Sequence, residues 1–161
     1  MKNISRLVFV VLALFSTALF AQDKEEQKDD LIRMCLKGTT EHQVNHISVK
    51  CMGKMADTCL EKDKKSTTAS MVDCIREEGL VWNSVLNENY LTLKSQISKE
   101  NFEELRNYQR DWIKLLQSKC LLTNKLYEGS ISQIYVASCS RNELARRAIE
   151  LHVLIKELSP K

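Results

Sequence analysis

The residues of this chain with the most definite chemistry are its six cysteines, Cys35, Cys51, Cys59, Cys74, Cys120 and Cys139. An even number of thiols in an oxidising compartment reads as a set of disulfides. The set that closes the shortest local loops is Cys35–Cys51, Cys59–Cys74 and Cys120–Cys139, while spacing alone leaves the other pairings open. No C-x-x-C pair exists for thiol exchange, and the spacings do not make a zinc ribbon. His42 and His46 stand four apart, so a helix would present both on one side, where Glu41 or Cys51 could complete a metal site. They lack the H-E-x-x-H context, so the expectation is two surface histidines and no metal.

The remaining polar and aromatic groups support no catalytic constellation. Trp82, Tyr90 and Trp112 could line a ligand groove, but their helical spacing favours packing, with Asn87, Gln109 or Arg110 meeting the ring N–H and O–H groups. Arg106 and Arg110, four apart, could clamp an anion, but pairing with Glu103 is the commoner outcome. Ser130 follows Gly129 outside any G-x-S-x-G turn, and no two carboxylates stand out as a hydrolytic pair. Neither an enzyme nor a cofactor is expected.

These side chains must be positioned by helices. The chain has 161 residues, four glycines and a single proline, Pro160, which is too little turn chemistry for an all-β fold. Residues 1–21 read as a secretory signal. Lys2 and Arg6 precede an apolar run from Leu7 to Phe20, and Ala21 is the cleavage position. Loss of Lys2 and Arg6 reduces the formal charge of +3 to about +1, with both signs interspersed. That balance speaks against nucleic acid or a membrane surface as partner. Residues 22–30 form a flexible polar tail, and residues 31–161 one domain.

Within that domain, periodicity predicts a short helix over Leu31–Leu36 ended by a left-handed Gly38, a second over His42–Leu60, and a charged loop over Glu61–Lys65. A long helix follows over Thr68–Ile97, with Met71, Cys74, Ile75, Trp82, Val85, Leu86, Leu93 and Ile97 inward. Asn101 and Glu104 form a capping pair for the next helix, which turns Leu105, Tyr108, Trp112, Leu115 and Leu116 inward and ends just past Cys120. Asn124–Ser130 is a loop. The last helix spans Ile131–Leu158, with Tyr135, Ala148, Leu151, Leu154 and Ile155 in the core. The fold class is all-α: a disulfide-stapled antiparallel three-helix bundle with a short helical N-terminal extension.

Several residues in order resemble a known family. Trp82, Leu86-Asn87 and Tyr90, then Leu105-Arg106, Gln109-Arg110, Trp112 and Cys120, and later Gly129-Ser130, Cys139, Arg147 and Leu151 are similar to the LprI-type lysozyme-inhibitor family of exported bacterial proteins. The segments Cys51–Cys59 and Ser66–Cys74 resemble a subgroup with an extended, cysteine-bearing N-terminus. Where many members carry an acidic residue, an Arg-Asp pair and a double glycine, this chain has Asn83, Leu116-Gln117 and Glu128-Gly129.

The resemblance implies a periplasmic or secreted helical protein that binds another protein by surface contact, with lysozyme the partner implied by the family's name. Lysozymes of animals are usually basic, so an acidic patch would assist: Glu77, Glu78 and Glu88, or Glu100, Glu103 and Glu104. The loop Tyr127, Glu128, Gly129 and Ser130 is the candidate for insertion into a cleft. The other readings are a periplasmic small-ligand or metal-binding protein and a structural envelope protein.

Overall fold

The computed structural model describes residues 31–40, 42–62 and 67–159; the expected signal, the polar tail and residues 63–65 of the charged loop lie outside them. The described chain is helical throughout. Residues 31–37 form α1. They are followed by α2 (Val44–Cys51), α3 (Lys54–Lys62), α4 (Thr68–Gln96), α5 (Lys99–Leu126) and α6 (Ile131–Leu158).

The centre is the pairing of α4 with α6, which pack along most of their length. Their inward stripes supply Trp82, Val85 and Leu86 from α4 and Ala145, Ala148, Ile149 and Val153 from α6. Ile32 and Leu36 of α1 and Ile47 of α2 seal this cluster. Each fully buried aliphatic side chain contributes about 1.5–3 kcal/mol by leaving water. Small residues on α6 let the helices approach, and Gly79 of α4 sits over the backbone of Arg141. Gly79 lies at Arg141 and, further along both helices, Asn89 donates to the Ala148 carbonyl at 2.9 Å, so α4 and α6 run in the same direction. α5 connects the two in sequence, runs antiparallel to α6, and contacts α6 far more than α4. A disulfide-stapled three-helix bundle with a helical extension is therefore the observed architecture.

All six cysteines are paired, as Cys35–Cys51, Cys59–Cys74 and Cys120–Cys139. The first ties α1 to α2, the second α3 to α4, and the third α5 to α6.

Several boundaries differ from expectation for local reasons. The helix expected over His42–Leu60 breaks at Gly53, whose φ of 93° lies outside the helical range, giving α2 and α3. Gly38 does not take a left-handed cap. Instead α1 ends with Gly38 N–H on Met34 O, while Thr39 Oγ1 and N–H both donate to Leu36 O. The cap of α5 is Ser98, whose hydroxyl accepts from Asn101 N–H at 3.2 Å, so the Asn101–Glu104 pair lies inside the helix. With no glycine before Gly129, α5 runs on past Cys120 to Leu126 and leaves only residues 127–130 as the connection. Tyr108 and Leu115, expected inside, are exposed, because the inner stripe of α5 is Phe102, Leu105, Gln109, Trp112, Leu116 and Cys120; Tyr135, expected inside on α6, is exposed and stacks on Tyr127.

Candidate partner-binding surface

The polar side chains nearest the core are occupied in holding the helices together. Glu78 is wholly buried. Its carboxylate accepts from Gly53 N–H at 2.7 Å, Ala56 N–H at 2.9 Å and Trp82 Nε1–H at 3.0 Å, and Arg141 lies 3.3 Å away. It thereby satisfies free N–H groups at the start of α3, where a negative charge also meets the positive end of the helix dipole. A carboxylate patch of Glu77, Glu78 and Glu88 is thus not formed, since Glu78 points inward and Glu88 pairs with Arg33 through two bonds of 2.5 and 2.6 Å. Those bonds hold the Glu88 carboxyl below the usual range, against the opposing effect of partial burial.

Arg147 is a second interior anchor. It is 2% exposed, donates Nε–H to Gln109 Oε1 at 2.9 Å, pairs with Glu150 at 2.9 Å, and lies 4.3 Å from the centre of the Tyr108 ring. Tyr90 packs against Phe102 across the α4–α5 turn. Trp82 is in the core and Trp112 is half-buried against it, so these aromatic residues do not assemble a groove. Arg106 pairs with Glu103, and Arg110 projects separately into solvent. His42 precedes α2 while His46 lies within it, so the two do not share a helix face, and Cys51 is committed to a disulfide. Glu41 lies outside the described residues. No group of three or more metal-ligating side chains occurs among the described residues.

One group of outward-facing side chains lies at the α5–α6 end, while other exposed apolar residues, Val49, Leu80 and Leu91 among them, are spread over α2 and α4. Tyr127, Glu128, Gly129 and Ser130 form the connection, and all four are exposed. Gly129 takes a φ of 71°, and the Ser132 hydroxyl and N–H both donate to its carbonyl. The Tyr127 ring stacks on Tyr135 with centroids 4.1 Å apart. Behind the turn the Cys120–Cys139 bridge locks the two helices. Around it Leu121, Leu126 and Ile131 are exposed, Leu126 by 69%. Exposed apolar side chains are ordinary singly, and beside a disulfide-braced turn they make a candidate surface for contact with another protein. The acidic residues Glu100, Glu103 and Glu104 lie at the other end of α5, about 40 Å away along a helix of 28 residues.

Glu78 was invisible to periodicity. Its only signal was a charged residue at an inward position, one turn before Trp82.

Comparison with known proteins adds one result. A family model described as Lysozyme inhibitor LprI matches residues 59–151, more than half of the chain and all of α4 and α5. The match begins at Cys59, so α1 and α2 fall outside it. No curated protein and no solved structure matches the chain.

Proposed function

We propose that this chain, which belongs to the LprI lysozyme-inhibitor family, is an exported binding protein that inhibits a lysozyme through the braced α5–α6 turn. The observation that carries the reading is a division of labour among its residues. Trp82, Gln109, Arg147 and Leu151 are absorbed into the scaffold, whereas Leu126, Tyr127, Ile131 and Tyr135 surround a stiff, disulfide-backed turn and face solvent. Tyrosines on a rigid support lose little entropy on docking, which is how a small patch becomes an anchor. Three disulfides suit an oxidising location outside the cytoplasm.

A basic lysozyme would gain little electrostatic help at this turn, where Lys125 and Glu128 offset one another. Contact there would be driven by apolar burial and depend weakly on salt. Titrating the oxidised protein into lysozymes of several types tests the reading, with inhibition expected to saturate near one turn per enzyme. Tyr127→Ala should weaken inhibition by about tenfold or more without lowering the melting temperature. Full lysozyme activity at large molar excess with every type tested would overturn it.

A further inference from the structure

The short helix ahead of the family match is fastened to the bundle by groups that respond to acid. α1 puts Ile32 and Leu36 into the core and is tied to α2 by Cys35–Cys51. Three polar ties complete its attachment. Arg33 pairs with Glu88 of α4, and two side chains of α6 reach back to the backbone that ends α1. Lys156 donates Nζ–H to the Thr39 carbonyl at 2.7 Å, and His152, one turn earlier, hydrogen-bonds the Leu36 backbone. The other ring nitrogen of His152, Nε2, is buried and has no hydrogen-bond partner among the described residues. A neutral imidazole that donates through one nitrogen leaves a lone pair on the other, which needs an acceptor only once it takes up a proton.

We infer that α1 is a tethered strap that opens locally from α4 and α6 when acid protonates His152, while the helices from α2 to α6 keep their packing. Protonation puts an N–H into a site with no acceptor and adds a second positive charge one turn from Lys156. The charges on the surrounding helices are committed elsewhere: Glu88 to Arg33, Lys94 to the Phe102 ring, Glu150 to Arg147. Lys37, His46 and Lys50 of α1 and α2 are exposed. The closed strap therefore disfavours the proton, and burial with the Lys156 charge holds the imidazole below its ordinary 6.5. Opening returns the ring to water, where it binds the proton more readily. The open population accordingly rises as pH falls from 6.5 through the lower closed value, by at most about 30-fold at pH 5. Opening uncovers apolar surface of α4 and α6 that Ile32 and Leu36 seal at neutral pH, and the Cys35–Cys51 bridge limits how far the strap can travel. His152 lies about 30 Å along α6 from Ile131, so the Tyr127 turn stays in place.

Amide exchange of the oxidised protein at pH 7, 6 and 5, expressed as protection relative to the intrinsic rate, reads the opening at Gly38 and Thr39. Their N–H groups close the end of α1 on the Met34 and Leu36 carbonyls. Protection at both should lie below that of the α4 and α6 core amides at every pH, and should be insensitive to low urea. It should fall by roughly tenfold between pH 7 and pH 5. His152→Gln keeps an N–H for the Leu36 backbone but does not titrate, and should remove that fall. Exchange at Gly38 and Thr39 that matches the α4 and α6 core in both size and urea dependence would mean that α1 opens only with the whole fold, which overturns the inference. So does equal protection at pH 7 and pH 5, or a fall that survives His152→Gln.

Discussion

Among single residues, Glu78 bears most of the structural consequence. Its two oxygens are the acceptors for three N–H groups and face the Arg141 guanidinium in a site without solvent exposure. Replacing it by alanine leaves those donors buried and unpaired, the costly half of hydrogen-bond energetics. Glu78→Ala should therefore lose about 3–5 kcal/mol, measured by urea unfolding followed through the fluorescence of buried Trp82. Glu78→Gln, which retains one acceptor oxygen, should lose less. Two other residues set how the protein responds to acid, and both hold α1. Burial pushes the His152 imidazole below its ordinary value of 6.5, the Lys156 charge acts in the same direction, and a hydrogen bond to the Leu36 backbone opposes them. Its Nε2 is buried with no hydrogen-bond partner among the described residues, so a proton there would be stranded. The unfolded chain binds that proton more readily. The contribution of His152 is thus complete above pH 6.5 and is lost as pH falls from there through the lower folded value. Glu88 acts lower on the scale: its pairing with Arg33 stabilises above its ordinary value of 4.5 and is lost as pH falls through the depressed folded value. The melting temperature should fall from pH 7 to pH 5, two points on either side of the ordinary imidazole value of 6.5, with hydrogen-exchange protection dropping first in residues 31–37. His152→Asn should flatten that part of the profile.

For the elements, the two glycines flanking α3 and the centre of α4 make opposite demands. Gly53 holds a φ of 93°, and a Cβ there would lie 3.5 Å from an Asp57 carboxylate oxygen. Gly53→Ala should cost about 1–3 kcal/mol through backbone strain, and should loosen α3 in particular, because the Gly53 N–H is one of the groups that Glu78 receives. Gly79 is helical, and a Cβ on it would meet Arg141 no closer than 3.7 Å, an ordinary contact. A methyl group fits there without displacing α6, so Gly79→Ala should be neutral or stabilise by up to about 1 kcal/mol, measured by thermal unfolding. Residue type shows that a glycine is present in both cases, but only the backbone shows which one needs to be a glycine. The same limit governed the helices at large. α4 and α6 were legible nearly to the residue, because long apolar stripes at three- and four-residue steps ended in recognisable connections. α5 was legible as a helix but not in its facing. Its inner stripe through Leu105, Trp112 and Leu116 adjoins a second apolar row at Tyr108, Leu115 and Leu122, and periodicity cannot tell two neighbouring rows apart. Its start was misplaced by one turn because Ser98 and Asn101 both present capping side chains.

In the whole molecule, the core and the proposed contact surface lie on different parts. α4 and α6 share the core with α1 and α2, whereas α5 buries only Cys120 completely and contacts chiefly α6. The turn Tyr127–Ser130 and the Cys120–Cys139 bridge behind it were legible in the sequence, whereas the Tyr127–Tyr135 stack that also braces the turn was not, because periodicity places Tyr135 in the core. The three disulfides are therefore unequal in effect. Cys59–Cys74 joins α3 to a helix it already reaches through the Glu78 hydrogen bonds, so removing that bridge leaves a second attachment. Cys120–Cys139, with a sequence separation of 19, is what secures the far end of a loosely packed helix. Loss of either bridge should cost about 2–4 kcal/mol by freeing the unfolded chain. The double replacement Cys120→Ser with Cys139→Ser should additionally release α5 within the folded state. Hydrogen exchange would then quicken from Leu116 to Leu126 while α4 and α6 stay protected, and partner binding through the turn should fall more steeply than global stability. Equal protection of α5 in the double variant would show that its side-chain packing on α6, and not the covalent bridge, is what braces the turn.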